Sequence, residues 1–298
     1  MPLAPHHRCW ICGSSRLALV RASQLPRELE PSAFAITDHH YGRTGEMHRC
    51  AGCGFLQCSD LADVVRYYQA LEDPKYESTR GPRGRQMDRL LERIIAAVPQ
   101  PAGARLLDVG AGSGILVEQA RRRGYKAAGV EPSRWLAQRA AERGLPVEEG
   151  TFPHPALPGP FDVVTLIDVI EHVADPVSLL RSVQRHLAPG GVVAVVTPDV
   201  RALVPRLLGW RWWHYRVAHV GYFGRATLEL AFARAGLELV HFSRPTWVLD
   251  VGYLIERVNA YLPRALRPPV PAWTRRIWLP LSLGDVMCAL GRPAPGAR

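Results

Sequence analysis

No apolar run in this chain approaches the ~18 residues that a membrane-spanning helix needs. The opening segment MPLAPHHRCW also lacks the apolar core of a secretion leader. The expectation is a cytoplasmic protein with no transmembrane segment, with peripheral membrane contact left open. No internal repeat or low-complexity tract interrupts the 298 residues, which suffice for a full α/β domain and something smaller. Lysine is nearly missing, with 2 lysines against 35 arginines. So lopsided a choice reflects coding composition as readily as function. The net charge of +10 sits late, because residues 201–298 hold 14 arginines and 5 acids. That basic end suits an anionic small molecule, a nucleic acid or a membrane surface; it is equally an arginine-rich solvated face.

Six cysteines are present, and four form two pairs, Cys9-Trp-Ile-Cys12 and Cys50-Ala-Gly-Cys53. Two C-x2-C knuckles can complete a tetrahedral four-thiolate site, for which zinc is the expected ion. Gly13 and Gly54 follow the second cysteine of each pair, where a tight turn suits glycine. A closed shell of four thiolates is structural, and it would stabilise a segment of about 50 residues too small for a good core. Reduced, unmetallated knuckles are the alternative. His39, His40 and His48 are spare ligands, Cys58 has the wrong spacing, and Cys288 reads as core. Between the knuckles, TDHHYGRTGEMHRC suits a small hairpin.

Further along, RQMDRLLERIIAAV has helical spacing and ends at Pro99 and Pro101. A regular alternation follows: strand 106–109, helix 114–123, strand 126–130, helix 133–143 capped by Ser133, and a short strand near 146–149. FDVVTLI (161–167) reads as a buried parallel strand, Asp175 and Pro176 open a helix over 175–187, and the turn APGG (188–191) feeds strand 192–197. This order calls for a doubly wound, Rossmann-like sheet. The expected domains are a zinc-ribbon-like module (1–60), a helical connector (61–100) and an α/β domain (101–298). Within the last, 245–283 is an insertion or cap, rich in arginine, proline and tryptophan.

Residues 106–114 read LLDVGAGSG, a strand running into a glycine turn. A dinucleotide turn needs G-x-G-x-x-G. Here the third glycine comes one residue early, and Asp108 stands where a pyrophosphate would be repelled. Glu131 ends the next strand and can accept two hydrogen bonds from ribose hydroxyls. Gly110 and Gly112 let the backbone approach a ligand closely. The pattern looks like the S-adenosylmethionine (SAM) site of a class I methyltransferase. Asp108 would face the amino-acid end of SAM, Thr151 and Phe152 would flank adenine, and Asp168 would complete the cofactor set.

The resemblance extends along the chain, to bacterial class I methyltransferases with an N-terminal zinc-binding segment, of the Methyltransf_23 or Methyltransf_13 type. It rests on CWIC, RCAGCGFLQ, Tyr67–Tyr68, LLDVGAGSG, VEPS, FDVVTLIDVIEHVADP, LAPGG, VVTPD and HVGYFGRATLELAFARAGLELV, with LGDVMCALGRP as last strand. It implies methylation of a small molecule such as a sugar, a quinone precursor or a secondary metabolite.

Asp168-Val-Ile-Glu171-His172 lies where such a sheet opens to its ligand. His172 is a base candidate, or it is hydrogen-bonded at a helix start. The spacing also resembles that of ubiquinone-pathway O-methyltransferases, which implies Mg²⁺ on Asp168, Glu171 and His172. A second cluster, Trp210, Arg211, Trp212, Trp213, His214, Tyr215, His219 and Tyr222, suits a substrate wall or a packed aromatic loop, with His219 the other base candidate. The leading function is methylation of a small-molecule acceptor, possibly anionic, at a hydroxyl. An RNA methyltransferase and a non-catalytic scaffold are the alternatives. No N/D-P-P-Y tetrad follows the fourth strand, and the intact glycine turn argues against a scaffold.

Overall fold

A computed structural model describes residues 8–26, 28–35, 41–61, 64–99, 102–259 and 261–296; His39 and His40 lie outside them. The first strands are β1 (Leu17–Arg21), β2 (Met47–Cys50) and β3 (Leu56–Cys58). β2 pairs antiparallel with β1 on one side and β3 on the other. Of the stretch 37–50 expected to suit a hairpin, residues 37–40 lie outside the described residues. Its end, β2, forms a hairpin with β3, because the second knuckle reverses the chain: the Cys50 amide donates to the Phe55 carbonyl at 2.9 Å. The outer edge of β3 takes Gly221–Tyr222 from the far end of the chain. That shared edge joins the cysteine segment to the main body. Ile11, Cys50 and Phe55 lie in one buried cluster with Phe223 of that body.

Three helices connect the two parts: α1 (Val65–Gln69), α2 (Pro74–Ser78) and α3 (Arg80–Ala97). α3 begins five residues before its expected start. Arg80, at its first position, binds Glu118 (2.6 Å) and the Ser113 carbonyl (2.9 Å) of the body.

The body then alternates strand and helix: β4 (Arg105–Val109), α4 (Ile115–Arg122), β5 (Lys126–Glu131), α5 (Arg134–Ala141), β6 (Val147–Glu149), β7 (Phe161–Ile167), α6 (Pro176–His186), β8 (Leu187–Pro198), α7 (Leu203–Leu208), β9 (Gly221–Tyr222), α8 (Arg225–Arg234) and β10 (Leu237–Ser243). After these come β11 (Trp247–Asp250), α9 (Val251–Asn259), β12 (Trp278–Leu281) and β13 (Val286–Pro293). Among the described residues the main sheet has the order β10-β13-β8-β7-β4-β5-β6. It is parallel except for β13, which runs against both its neighbours.

The central strands are unbroken apolar runs because both faces are covered. Leu107, Val109, Val164 and Val195 pack on the α6–α8 side; Leu106, Val163 and Val196 pack on the α3–α4 side. Ser133 caps α5 by accepting from the Leu136 amide, and Asp175 caps α6 by accepting from the Ser178 amide. APGG is not a turn before β8 but part of it. The register steps from Phe161↔Leu187 to Val163↔Val192, and Gly190 at φ +78° absorbs the extra residues as a bulge. Residues 245–283 leave the sheet between β10 and β13, with β11 and β12 paired antiparallel around α9. The strand order reverses between β4 and β7, and such a switch opens a crevice at the carboxyl ends of the strands.

Candidate active site

The glycine turn sits in that crevice. Gly110 (φ +74°) and Gly112 (φ +54°) adopt left-handed backbone. A methyl group on Gly110 would lie 2.6 Å from Val169, and one on Gly112 would lie 2.7 Å from the Tyr76 hydroxyl. Conformation and space thus both require glycine there. Glu131 holds the turn from the side: one carboxylate oxygen accepts from the Gly112 amide and the other from the Ser133 amide, each at 2.8 Å. Each oxygen keeps a second lone pair for a ligand. Asp108 accepts from the Thr165 hydroxyl at 2.6 Å. Burial pushes both carboxyls up to about 7, against the hydrogen bonds that favour their charged forms.

A single cavity of about 690 Å³ runs from this turn past Thr151, Phe152 and Asp168 to His172 and His219. Every cofactor residue expected from sequence therefore lines one space. Asp168 is the one described non-glycine residue at positive φ (+52°), a conformation that aspartate tolerates at the sharp exit from β7. Desolvation inside the cavity raises its carboxyl to about 6, while Arg83 and Arg216 pull the other way.

At the far end, the His172 Nδ1 lies 2.7 Å from the Ala218 carbonyl and 2.8 Å from the Tyr68 hydroxyl. A carbonyl only accepts, so Nδ1 carries the proton and Nε2 keeps the basic lone pair. Burial lowers the His172 pKa to about 4, so the ring stays neutral near pH 7. His219 packs edge-on against His172 with centroids 4.8 Å apart, and its buried Nδ1 has no hydrogen-bond partner. Its pKa is likewise pulled well down by burial. The result is a pair of neutral imidazoles facing a ligand-sized space.

Asp168, Glu171 and His172 do not gather as a metal site requires. Among the described residues, the donor atoms that converge here belong to Glu171, His172 and His219. The chain turns at Asp168, and the following 3-10 turn swings Glu171 inward to accept from the Thr197 hydroxyl at 2.9 Å. The Mg²⁺ expectation on those three residues is thereby corrected.

The aromatic wall is also redistributed. Trp212 is fully buried and donates from Nε1 to Asp285 at 2.9 Å, and Tyr215 and Tyr222 join the same core. Of that cluster only His214 and His219 line the cavity. The wall is completed by Phe34, Tyr68, Arg83, Arg216, Tyr253 and Arg257, which sequence reasoning did not assign. The Tyr67–Tyr68 pair was the available signal. Tyr67 stacks on Phe34 at 4.3 Å while Tyr68 turns to His172.

The four expected thiolates converge as well. All four sulfurs lie within 4.8 Å of one another, with Cys9–Cys53 and Cys12–Cys50 each at 3.5 Å. A tetrahedral zinc site needs sulfurs about 3.8 Å apart, so the donor set fits such an ion. Each knuckle closes through a glycine amide, Gly13 to Cys9 and Gly54 to Cys50, both at 2.9 Å. Cys58 is buried apart from the four, with its sulfur near the His219 carbonyl, and Cys288 lies in the core on β13.

Residues 81–242, just over half of the chain, match the family described as a methyltransferase domain. The chain belongs to that family. The chain shares its fold with a chain from a complex that contains the Haloferax volcanii Trm112 methyltransferase activator. That likeness has a TM-score of 0.55 at 16% identity, over 75% of this chain and 96% of the other. Two ubiquinone biosynthesis O-methyltransferases are similar in sequence. One, from Caulobacter sp. strain K31, is 44% identical over 105 residues, 32% of this chain and 41% of that protein. The other, from Pseudomonas aeruginosa, is 38% identical over 104 residues, 32% of this chain and 45% of that protein. The matched stretch thus spans less than half of either relative. No helix among the described residues is long and apolar enough to cross a membrane.

Proposed function

We propose that this chain transfers a methyl group from SAM to a hydroxyl of a small-molecule acceptor. The observation that carries this reading is the single cavity joining the Gly110–Gly112 turn and Glu131 to the His172–His219 pair. SAM supplies a methyl group already activated on a sulfonium. Glu131 accepts from the ribose hydroxyls, Thr151 and Phe152 border the adenine, and Asp108 and Asp168 face the α-ammonium of the amino-acid end. His172 takes the acceptor hydroxyl proton on Nε2, with His219 beside it. A pKa near 4 suffices, because a hydroxyl oxygen becomes strongly acidic as it gains the methyl group. The names of the similar O-methyltransferases favour oxygen as the attacked atom. We further infer that Cys9, Cys12, Cys50 and Cys53 hold a structural zinc ion.

Calorimetric titration with SAM and S-adenosylhomocysteine tests the cofactor site. Micromolar binding is expected, weakened about 10- to 100-fold in Glu131→Ala through loss of charge-assisted hydrogen bonds. Absence of binding by the folded wild-type protein would remove the methyltransferase reading.

Binding should also release protons. Glu131 and Asp108, at about 7 in the free protein, are largely protonated near pH 6. Ribose hydroxyls and the α-ammonium of the ligand favour the charged carboxylates and lower both pKa values. Affinity should therefore rise as pH increases from about 5 to 7, by up to about tenfold per unit for each proton released, and level off above. Titrations of S-adenosylhomocysteine in buffers of different ionisation enthalpy count those protons. A flat affinity with no proton release would show that the two carboxyls do not meet the ligand.

A further inference from the structure

The end of the cavity beyond the two histidines is built partly from residues outside 81–242. Tyr253 and Arg257, one turn apart on α9, line it with His214 and Arg216. The Arg257 guanidinium lies 4.9 Å from the Tyr253 ring centroid, 5.0 Å from Trp213 and 5.8 Å from Tyr41. Its Nε donates to the Tyr253 hydroxyl at 2.7 Å and its Nη2 donates to the same oxygen, which leaves the Nη1 side of the guanidinium for a ligand. These contacts fix the fork in place without neutralising it.

Each nearby acid is already engaged elsewhere. Asp250 and Glu256 pair with Arg275. Asp285 takes the Trp212 indole N–H and lies in the field of Arg257. Asp168 and Glu171 lie in the field of Arg216, and Asp168 also in that of Arg83. Arg257 makes no direct ion pair among the described residues and meets Asp285 only through its field, so its charge is left without a contacting partner. A half-buried cation lacking a direct counterion is costly, and a guanidinium matches the two oxygens of a carboxylate or phosphate. Phe34, Val64 and Val65 add apolar wall to the same cavity.

We propose that Arg257 is the anion-binding residue of the acceptor site. The acceptor is then a small molecule with an apolar body and a carboxylate or phosphate at the end away from the methylated hydroxyl. The hydroxyl rests on the function proposed above; the oxyanion end does not.

The test uses the full chain with S-adenosylhomocysteine bound and three probes, benzoate, phenyl phosphate and benzyl alcohol, titrated by calorimetry. At least one anion should bind about tenfold or more tightly than the alcohol, and the margin should shrink as salt is added. Arg257→Gln should abolish the preference and Arg257→Lys should keep part of it, with S-adenosylhomocysteine affinity unchanged in both. The better of benzoate and phenyl phosphate identifies the group. Equal affinity for all three probes, or an unchanged preference in Arg257→Gln, overturns the proposal. If S-adenosylhomocysteine does not bind at all, the cofactor reading fails, while the same probes on the ligand-free protein still report on Arg257.

Discussion

His172→Gln is expected to slow methyl transfer by about 10²–10⁴-fold, the usual range for loss of a positioned base. Affinity for S-adenosylhomocysteine should stay within about twofold. Glutamine can still donate to the Ala218 carbonyl, so the substitution removes the Nε2 lone pair more than it disturbs the loop. The wild-type pH profile adds an independent readout. Because burial holds His172 near 4, kcat at saturating SAM should stay nearly flat from pH 8 to about 6 and fall only on deeper acidification. Any loss between pH 7 and 6 should appear in the KM for SAM, through Asp108 and Glu131. If His172→Gln keeps full turnover while His219→Ala loses it, the base is His219. If both variants turn over normally, the acceptor needs no base from this pair.

Removal of the metal from the four-cysteine site should have the other large effect. Purified protein is expected to carry one zinc per chain. A strong chelator, or Cys50→Ser, should lower the thermal midpoint by about 10 °C or more, since thiolate–zinc binding energy is folding energy for so small a segment. The loss should reach the candidate active site. Cys58 on β3 donates from its amide to the Val220 carbonyl at 2.7 Å, and the Val220 amide donates to the Glu171 carbonyl at 2.8 Å. That ladder runs from the cysteine segment to the residue beside His172, and Phe55 meets Phe223 at 4.9 Å alongside it. Turnover should fall with the midpoint and return when zinc is restored. Metal-free protein with an unchanged midpoint and full activity would overturn the zinc assignment.

Much of the fold was legible because its signals are short-range. The caps at Ser133 and Asp175 and the buried runs of β7 and β8 are local patterns of hydrogen bonding and hydrophobicity. They appear where the sequence places them. The misreadings were also local patterns, overruled by pairing across distance. APGG has the composition of a turn, yet it continues a strand because β7 offers a partner edge. For the tryptophan-rich loop, composition left a binding wall and a packed loop both open, and the Trp212–Asp285 bond in the core decides for packing.

The sequence by itself determined the glycine-turn half of the cavity and the four-cysteine cluster. Gly110, Gly112 and Glu131 flank one strand–turn–helix unit, and each C-x2-C knuckle brings two sulfurs to one point within four residues. Only the tertiary structure decided the other half. Tyr68, His172, Arg216, His219 and Arg257 come from distant segments and line one cavity. The edge pairing of β3 with β9 and the excursion between β10 and β13 belong to the architecture that places them there. No periodicity along the chain records such a meeting, because long-range packing and hydrogen bonding create it, not neighbouring residues.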